Sequence, residues 1–430
     1  MQFSQLALFE DETVAGLEPL TLLRPVYELI CGQTSVRERA LRALGPTTWG
    51  AFCRDELTEV YREEFPEAFV NRLDWLATGQ TLLVNGAWLC DPHALQEIAA
   101  DSVGLIDGQV AYVTADSSEL AVLETGDMAE AVARLARLRA NRVVAPGRLI
   151  RQPWELIEAN GEQLTRDFGV LRGAGGADRD RPDVSIVGPR ELVFIDPTAE
   201  IEPYVVIDSR TGPVSIAAGV VIQAFTRIEG PCHIGHGSRL YRANIRGGTT
   251  IGPNCRVGGE VEASILQAYV NKYHDGFLGH GYICPWVNLG AQTANSDLKS
   301  DYSPVTYPRR TGSVDTGLKK VGCFIGDHTK TGLGSLINTG TQIGVMAMLL
   351  PSGGLLPRLI PSFATVRDGA ITEMFSMERC FAAAVAAMER RNVEFTSAQR
   401  RLLQRIHQRT ESDRQTAIER SQRASEARSS

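Results

Sequence analysis

Two histidines six residues apart, His274 and His280, stand in the stretch NKYHDGFLGHGYICPWVNLGAQTANSDLK, residues 271–299. An unperturbed imidazole titrates at about pH 6.5, so either ring suits removal of a proton from an attacking amine near neutrality. His233 and His236 form H-x-x-H, and with His328 they offer nitrogens for zinc. Zinc needs three such ligands at about 2.0–2.1 Å and an open position. Cys284, in YICPW, is a possible nucleophile, but no cation stands beside it to lower its pKa, and a buried structural thiol is the expectation. Backbone N–H groups at the turns 279–282 and 289–291 are candidate donors to an oxyanion. Acylation of an amine needs these parts and no covalent intermediate: a base, oxyanion donors and a cation for any phosphate on the substrate.

The elements that must carry these groups repeat every six residues. Aliphatics recur at Ile216, Ile222, Ile228, Ile234 and Leu240, then after a one-residue slip at Ile245, Ile251 and Val257. A second series runs through Ile325, Thr331, Ile337, Ile343 and Leu349. Neither an α-helix nor an alternating strand gives that period. A parallel β-helix does, each hexad forming one flat face and a corner while its aliphatic stacks inward. The competing explanation is a β-sandwich with chance spacing. Residues six apart occupy equivalent places on neighbouring faces, so one of the two histidines is expected to be the base. His280 is the choice, with His274 and Asp275 as an orienting or substrate-contacting pair. Between the two series, residues 288–320 break the rhythm as a long polar segment, which in a solenoid favours a functional loop.

Upstream, apolar runs such as TLLVNGAWL alternate with helical patterns such as AEAVARLARLRAN, which reads as an α/β domain. RGAGGADRDRPD, 172–183, reads as a linker. The division is 1–180 for the α/β domain, 181–366 for the β-helix and 367–430 for a helical extension. In that extension Met374, Met377, Phe381 and Val385 form an apolar stripe, a capping box opens at Thr396, and the tail from about Ser412 is expected to fray. A net charge of -7 gives no reason to expect nucleic acid as a partner. Eight scattered cysteines without C-x-x-C suit free thiols in a reducing cytosol. No stretch reaches the roughly 18 apolar residues of a membrane span, and a cytoplasmic protein is expected.

The hexads resemble the hexapeptide-repeat, left-handed β-helix family, and that resemblance implies three hexads per turn and a homotrimer. LEPLTLLRPVYELICGQTSVRER (17–39), NKYHDGFLGH (271–280), NLGAQTANSDLKSDY (288–302) and GDHTKTG (326–332) together resemble the alternative bacterial GlmU-like family. The resemblance covers most of the chain up to about residue 365. It implies an α/β plus all-β architecture: a Rossmann-like nucleotidyltransferase domain, a left-handed β-helix acyltransferase domain and C-terminal helices. The activities implied are acetyl-CoA-dependent N-acetylation of glucosamine-1-phosphate and uridylyl transfer from UTP with Mg2+, giving UDP-N-acetylglucosamine. By the same likeness His280 is the catalytic base, Asn288 contacts substrate and Arg246 holds the sugar phosphate. Lys272, Tyr282, Asn295 and Lys299 fall near other substrate positions. Arg24, Glu28 and Arg37 are implied nucleotide contacts, and Asp11 would help hold Mg2+. Arg309, Arg310 and Lys330, with Lys319 and Lys320, are candidates for the phosphates of coenzyme A, against the simpler reading of a solvated basic loop. Two departures stand out. Gln292 replaces a glycine of the family's G-A-G-T, and the first domain lacks the G-x-G-T phosphate loop, Leu20–Arg24 lying there instead. The alternatives are an acyltransferase whose first domain only binds sugar nucleotide, a non-enzymatic trimeric scaffold, and a zinc-dependent carbonic-anhydrase-like protein.

Overall fold

In a computed structural model, which describes residues 3–45, 48–121, 127–172, 184–351 and 353–429, the chain forms two compact units. One comprises Met1–Leu29 and Thr34–Gln152, the other Ile30–Gln33 and Pro153–Ser430. The helix Pro153–Arg172 therefore belongs to the second unit, whereas the division at residue 180 grouped it with the first. The linker expected at 172–183 lies outside the described residues but for Arg172.

The short apolar runs of the first unit are strands, and the two central ones, Gln5–Phe9 and Thr81–Asn85, are buried on both faces, whereas the edge strand Asn141–Val144 is exposed throughout. Numbered by sequence, they are Gln5–Phe9, Thr48–Phe52, Phe69–Val70, Thr81–Asn85, Ser102–Ile106, Gln109–Ala115 and Asn141–Val144. Their order in the sheet is third, second, first, fourth, sixth, fifth, seventh, and only Gln109–Ala115 runs antiparallel to its neighbours. The 3-2-1-4 start is that of a Rossmann-like doubly wound sheet, whose ligands bind beyond the carboxyl ends of the first and fourth strands. Helix Val36–Leu44 opens on a full capping box between Ser35 and Glu38.

In the second unit the six-residue rhythm becomes a left-handed parallel β-helix. One ladder runs Val193, Val214, Cys232, Thr249 and onward through Ile265, Tyr282, Phe324 and Gln342 to Leu359. Every inward residue anticipated from the period is buried, from Ile216 through Val257 and from Ile325 through Leu349. Tyr282 and Phe324 pair directly although 42 positions separate them, because after the coil residues up to Asp297 the segment closed by the Leu298–Lys320 bridge leaves the coil. That segment folds as the hairpin Thr306–Arg309 and Gly312–Asp315, with Tyr307 packed edge-on against Phe324 and Trp154.

The C-terminal helices are Met377–Glu389, Ser397–Arg409 and Glu411–Ser429. The capping box forms at Thr396 and Gln399. Of the expected stripe the first helix buries Phe381, joined by Ala384 and Met388, while Met374, Met377 and Val385 are half-buried. The tail expected to fray is helical. Arg414 bonds back to the His407 carbonyl and Thr410 hydroxyl, Ala417 and Ile418 pack on the end of the β-helix, and Ser421 accepts from the Ile371 N–H. These anchors lie three or four apart on one helical face, too sparse to read as an apolar stripe. No described helix is long and apolar enough to cross a membrane. All eight cysteines are free thiols.

Candidate active site

Strand Phe277–Gly279 ends at a corner, and His280 occupies it with a left-handed backbone, φ 50°. That conformation is uncommon for a residue with a side chain. Here it is over-determined: the His280 N–H donates to the Glu262 carbonyl at 3.1 Å and its carbonyl accepts from the Gly322 N–H at 2.9 Å. Asn295 clamps the preceding residue, accepting from the Gly279 N–H at 2.8 Å and donating to its carbonyl at 2.9 Å. The ring is held by Asp297, whose Oδ2 lies 2.7 Å from His280 Nδ1. Glycine at 279 is required for that approach, since a Cβ there would lie 2.7 Å from Asp297 Oδ2 and 2.4 Å from the Phe277 ring. Burial works against ionisation of Asp297, but the hydrogen bond and charge of His280 and the charge of Lys320 outweigh it and hold the carboxyl below its ordinary range. An ionised Asp297 fixes the tautomer with the proton on Nδ1, leaving the Nε2 lone pair to act as a base.

The sequence reading missed Asp297. The signal was present: Asp297 follows His280 by 17 residues, one coil of the helix, as Asn288 follows Asn271. It also missed Glu262, and it offered Lys320 to the phosphates of coenzyme A; the two side chains pair at 3.2 Å beside the dyad.

Other expected site residues are placed differently. Arg246 is not an open guanidinium: Glu262, Glu260 and Glu229 surround it at 3.3, 3.5 and 3.9 Å. Lys272 points inward, in register with the core residue Val257, and donates to the carbonyls of Gly258 and His274 at 2.8 and 2.7 Å. Burial pushes its ammonium down to about 8. Tyr282 is fully buried; its hydroxyl accepts from the Ile30 N–H at 2.9 Å and donates to Gln267 at 3.1 Å, so it pins a segment of the fold instead of facing a substrate. Asn295, with both amide atoms on Gly279, positions the corner. Asn288 is half-buried and accepts from Asn271. His274 and Asp275 are exposed at the next corner, and Lys299 bonds Ser303. Arg310 pairs with Asp413 at 3.1 Å, Arg309 lies over the Tyr307 ring, and Lys330 is held below its ordinary value by burial. Of the anticipated oxyanion donors, the N–H groups of Gly279, His280, Gly281, Leu289 and Gly290 are all bonded within the fold. Cys284 is fully buried, as expected.

For zinc, His233 is half-buried, and desolvation of its ring pushes it down to about 4, while His236 is exposed at a corner. Among the described residues of one chain, no three His, Cys, Asp or Glu side chains converge on a metal position.

In the first unit, Glu28 and Arg37 pair at 2.6 Å, and the Tyr61 hydroxyl donates to Glu28 at 2.5 Å. Burial pushes Glu28 up to about 7 against the pull of Arg37 and Tyr61. Arg37 also lies over the Phe65 ring, 4.3 Å from its centroid. Arg24 donates to the Leu20 carbonyl at 3.0 Å, and Arg54 holds Glu10 together with the carbonyls of Thr21 and Arg24. The loop standing where a glycine-rich phosphate loop would lie is thus stapled by a guanidinium. At the switch between the first and fourth strands, Asp11 accepts from Thr13 and from Asn85 Nδ2 at 2.7 Å. Both of its oxygens accept hydrogen bonds within the fold, so an Mg2+ ion held there would share or displace them.

A sugar nucleotidyl transferase family model matches residues 6–174. An uncharacterised acetyltransferase of Escherichia coli K12, YaiX, is 30% identical over 166 residues, 36% of this chain and 72% of that one. The bifunctional protein GlmU of Jannaschia sp. CCS1 is 36% identical over 203 residues, 44% of this chain and 40% of its own length, so this chain spans about two fifths of it. The solved structure of an Arabidopsis UDP-N-acetylglucosamine acyltransferase is 14% identical, covers 57% of this chain and 94% of that one, and has a TM-score of 0.26. With a nucleotidyl transferase match in the first half and acetyltransferase relatives, the chain belongs to the GlmU-like family of hexapeptide-repeat sugar nucleotidyltransferases and acetyltransferases.

Proposed function

We propose that this transferase acetylates the amine of an amino-sugar phosphate such as glucosamine-1-phosphate, with acetyl-CoA as donor, in the cytoplasm and as a homotrimer. The observation that carries this reading is the His280–Asp297 pair at 2.7 Å on a corner of the β-helix. As the amine nitrogen bonds to the thioester carbonyl, His280 Nε2 takes its proton, and the Asp297 carboxylate steadies the imidazolium. The carbon–sulfur bond then breaks and the same proton passes to the departing thiolate. His280 is the catalytic residue, while Asp297 and Asn295 position it. The first unit, with Arg24, Glu28 and Arg37 at the proposed nucleotide face, would convert the product to UDP-N-acetylglucosamine with UTP.

A second reading keeps the acetyl transfer and makes the first unit a sugar-nucleotide-binding module. The engaged Asp11 and the stapled loop in place of a phosphate loop favour it. Purified protein given glucosamine-1-phosphate and acetyl-CoA should release free thiol, and given UTP and Mg2+ in addition it should release pyrophosphate. Thiol without pyrophosphate selects the second reading. Release of neither leaves a trimeric scaffold.

A further inference from the structure

The guanidinium chosen from the sequence, Arg246, is saturated by three carboxylates. A different face of the β-helix carries cations without that compensation. Arg239, Arg256 and Asn271 are neighbours in register on successive coils, and the ladder continues through Asn288 to Lys330. The residues beside them, Leu240, Val257 and Lys272, are buried, so the ladder side chains point outward. Arg391, following helix Met377–Glu389, brings a further positive charge to bear on Arg256. Among the described residues no carboxylate pairs with Arg239, Arg256 or Arg391.

Arg256 is fixed rather than floating: its Nη1 donates to the carbonyls of Gly237 and Cys255 at 3.0 and 2.9 Å, which leaves its other donors for a ligand. Burial and the like charges of Arg391 and Arg239 hold the guanidinium below its ordinary value, a cost that a bound anion would remove. Beside it, Tyr241 and Tyr273 pack with ring centroids 4.1 Å apart, and Tyr273 is exposed, which offers an aromatic surface to a ring carried by the same ligand. With strands about 4.8 Å apart, Lys330 lies roughly 14 Å along the ladder from Arg256, the reach of a diphosphate with an attached sugar.

We infer that Arg239, Arg256 and Arg391 form a binding site for the diphosphate of a nucleotide-type ligand, laid along the β-helix with its ring against Tyr241 and Tyr273. Guanidinium groups suit this use because each presents paired donors to phosphate oxygens. Two sources share the chemistry, a free nucleoside 5′-diphosphate and the 5′-diphosphate of coenzyme A. The site does not depend on His280 acting as a base, and its test is a binding measurement, so failure of acetyl transfer and failure of this inference are separate results.

The test is calorimetric titration of the full chain with inorganic pyrophosphate, uridine diphosphate and coenzyme A, in the wild type and in Arg239→Gln, Arg256→Gln and Arg391→Gln. Arg239 and Arg391 make no side-chain bonds to the fold, so they report even if Arg256→Gln is destabilised. We expect pyrophosphate to bind the wild type and to weaken at least about tenfold in the Arg239 and Arg391 variants, with affinity falling as salt rises. The nucleotide that weakens in step identifies the source, and weakening of pyrophosphate alone identifies a free diphosphate. Pyrophosphate that fails to bind, or that binds all variants as tightly as the wild type, overturns the inference.

Discussion

Replacing Asp297 by Asn tests whether the dyad does what its geometry implies. The substitution keeps the side-chain shape and leaves the Asp297 carbonyl accepting from the Val321 N–H at 2.9 Å, so the chain path beside His280 is preserved. What it removes is the negative charge 2.7 Å from Nδ1. A hydrogen bond between charged groups contributes about 1.5–3 kcal/mol, and here that charge-assisted form arises only when His280 gains a proton in the transition state. At about 1.4 kcal/mol per decade the turnover number should fall roughly 10- to 150-fold, while KM for the amino sugar changes little. Continuous thiol release at saturating acetyl-CoA measures both constants. His280→Ala in the same assay sets the floor, with an expected loss of about 100-fold or more and no change in assembly. A turnover number for Asp297→Asn within twofold of wild type, or a loss confined to KM, would refute the assignment of His280 as base and Asp297 as its partner.

Three further outcomes follow from polar side chains that the structure buries, Tyr282, Asn160 and Lys272. Tyr282→Phe should lower stability to urea by about 1 kcal/mol, through loss of its bonds to Ile30 and Gln267, and leave KM unchanged; a raised KM at unchanged stability would return Tyr282 to the substrate site. Asn160→Ala should cost about 2–5 kcal/mol in the same measurement, because the fully buried amide accepts from the Gly32 N–H and donates to the Gly248 carbonyl, both of which would be orphaned; a loss under about 1 kcal/mol would mean that water replaces it. Lys272 titrates at about 8 in the fold against 10.5 in the unfolded chain, so between those values the unfolded state binds more protons and stability rises with pH. The wild type should therefore gain up to about 3 kcal/mol on Lys272→Met between pH 7.5 and 10.5, and parallel pH profiles for the two proteins would show that the buried amine keeps its ordinary pKa in the fold.

How far the sequence reaches depends on which period carries the information. The inward aliphatics obey a six-residue rule imposed by one strand and one corner, which is local, so Ile216 through Leu349 could be placed without knowing anything else. Site chemistry obeys a longer rule. A side chain meets the one directly above it in the next coil, about 17 positions on, and the pairs that define the site keep that separation: His280 with Asp297, Asn271 with Asn288, Arg239 with Arg256. Reading His280 with its neighbours in the chain picked out the ring and missed the carboxylate of Asp297 against it. Reading Arg246 alone found a guanidinium and missed Glu262, sixteen positions on, which belongs to the same stack. Inward or outward direction was lost for a related reason, since Lys272 sits at a core position where the pattern calls for an aliphatic, and only the carbonyls of Gly258 and His274 make a lysine acceptable there. The terminal helix marks the opposite limit: Arg414, Ile418 and Ser421 hold it through single contacts to residues far away in the chain, and no composition rule contains them. A polar residue in a coiled prism is therefore best judged against the residues one turn before and after it. By that measure Arg239 and Arg256, stacked cation on cation with only asparagine above, are where the fold still lacks an anion.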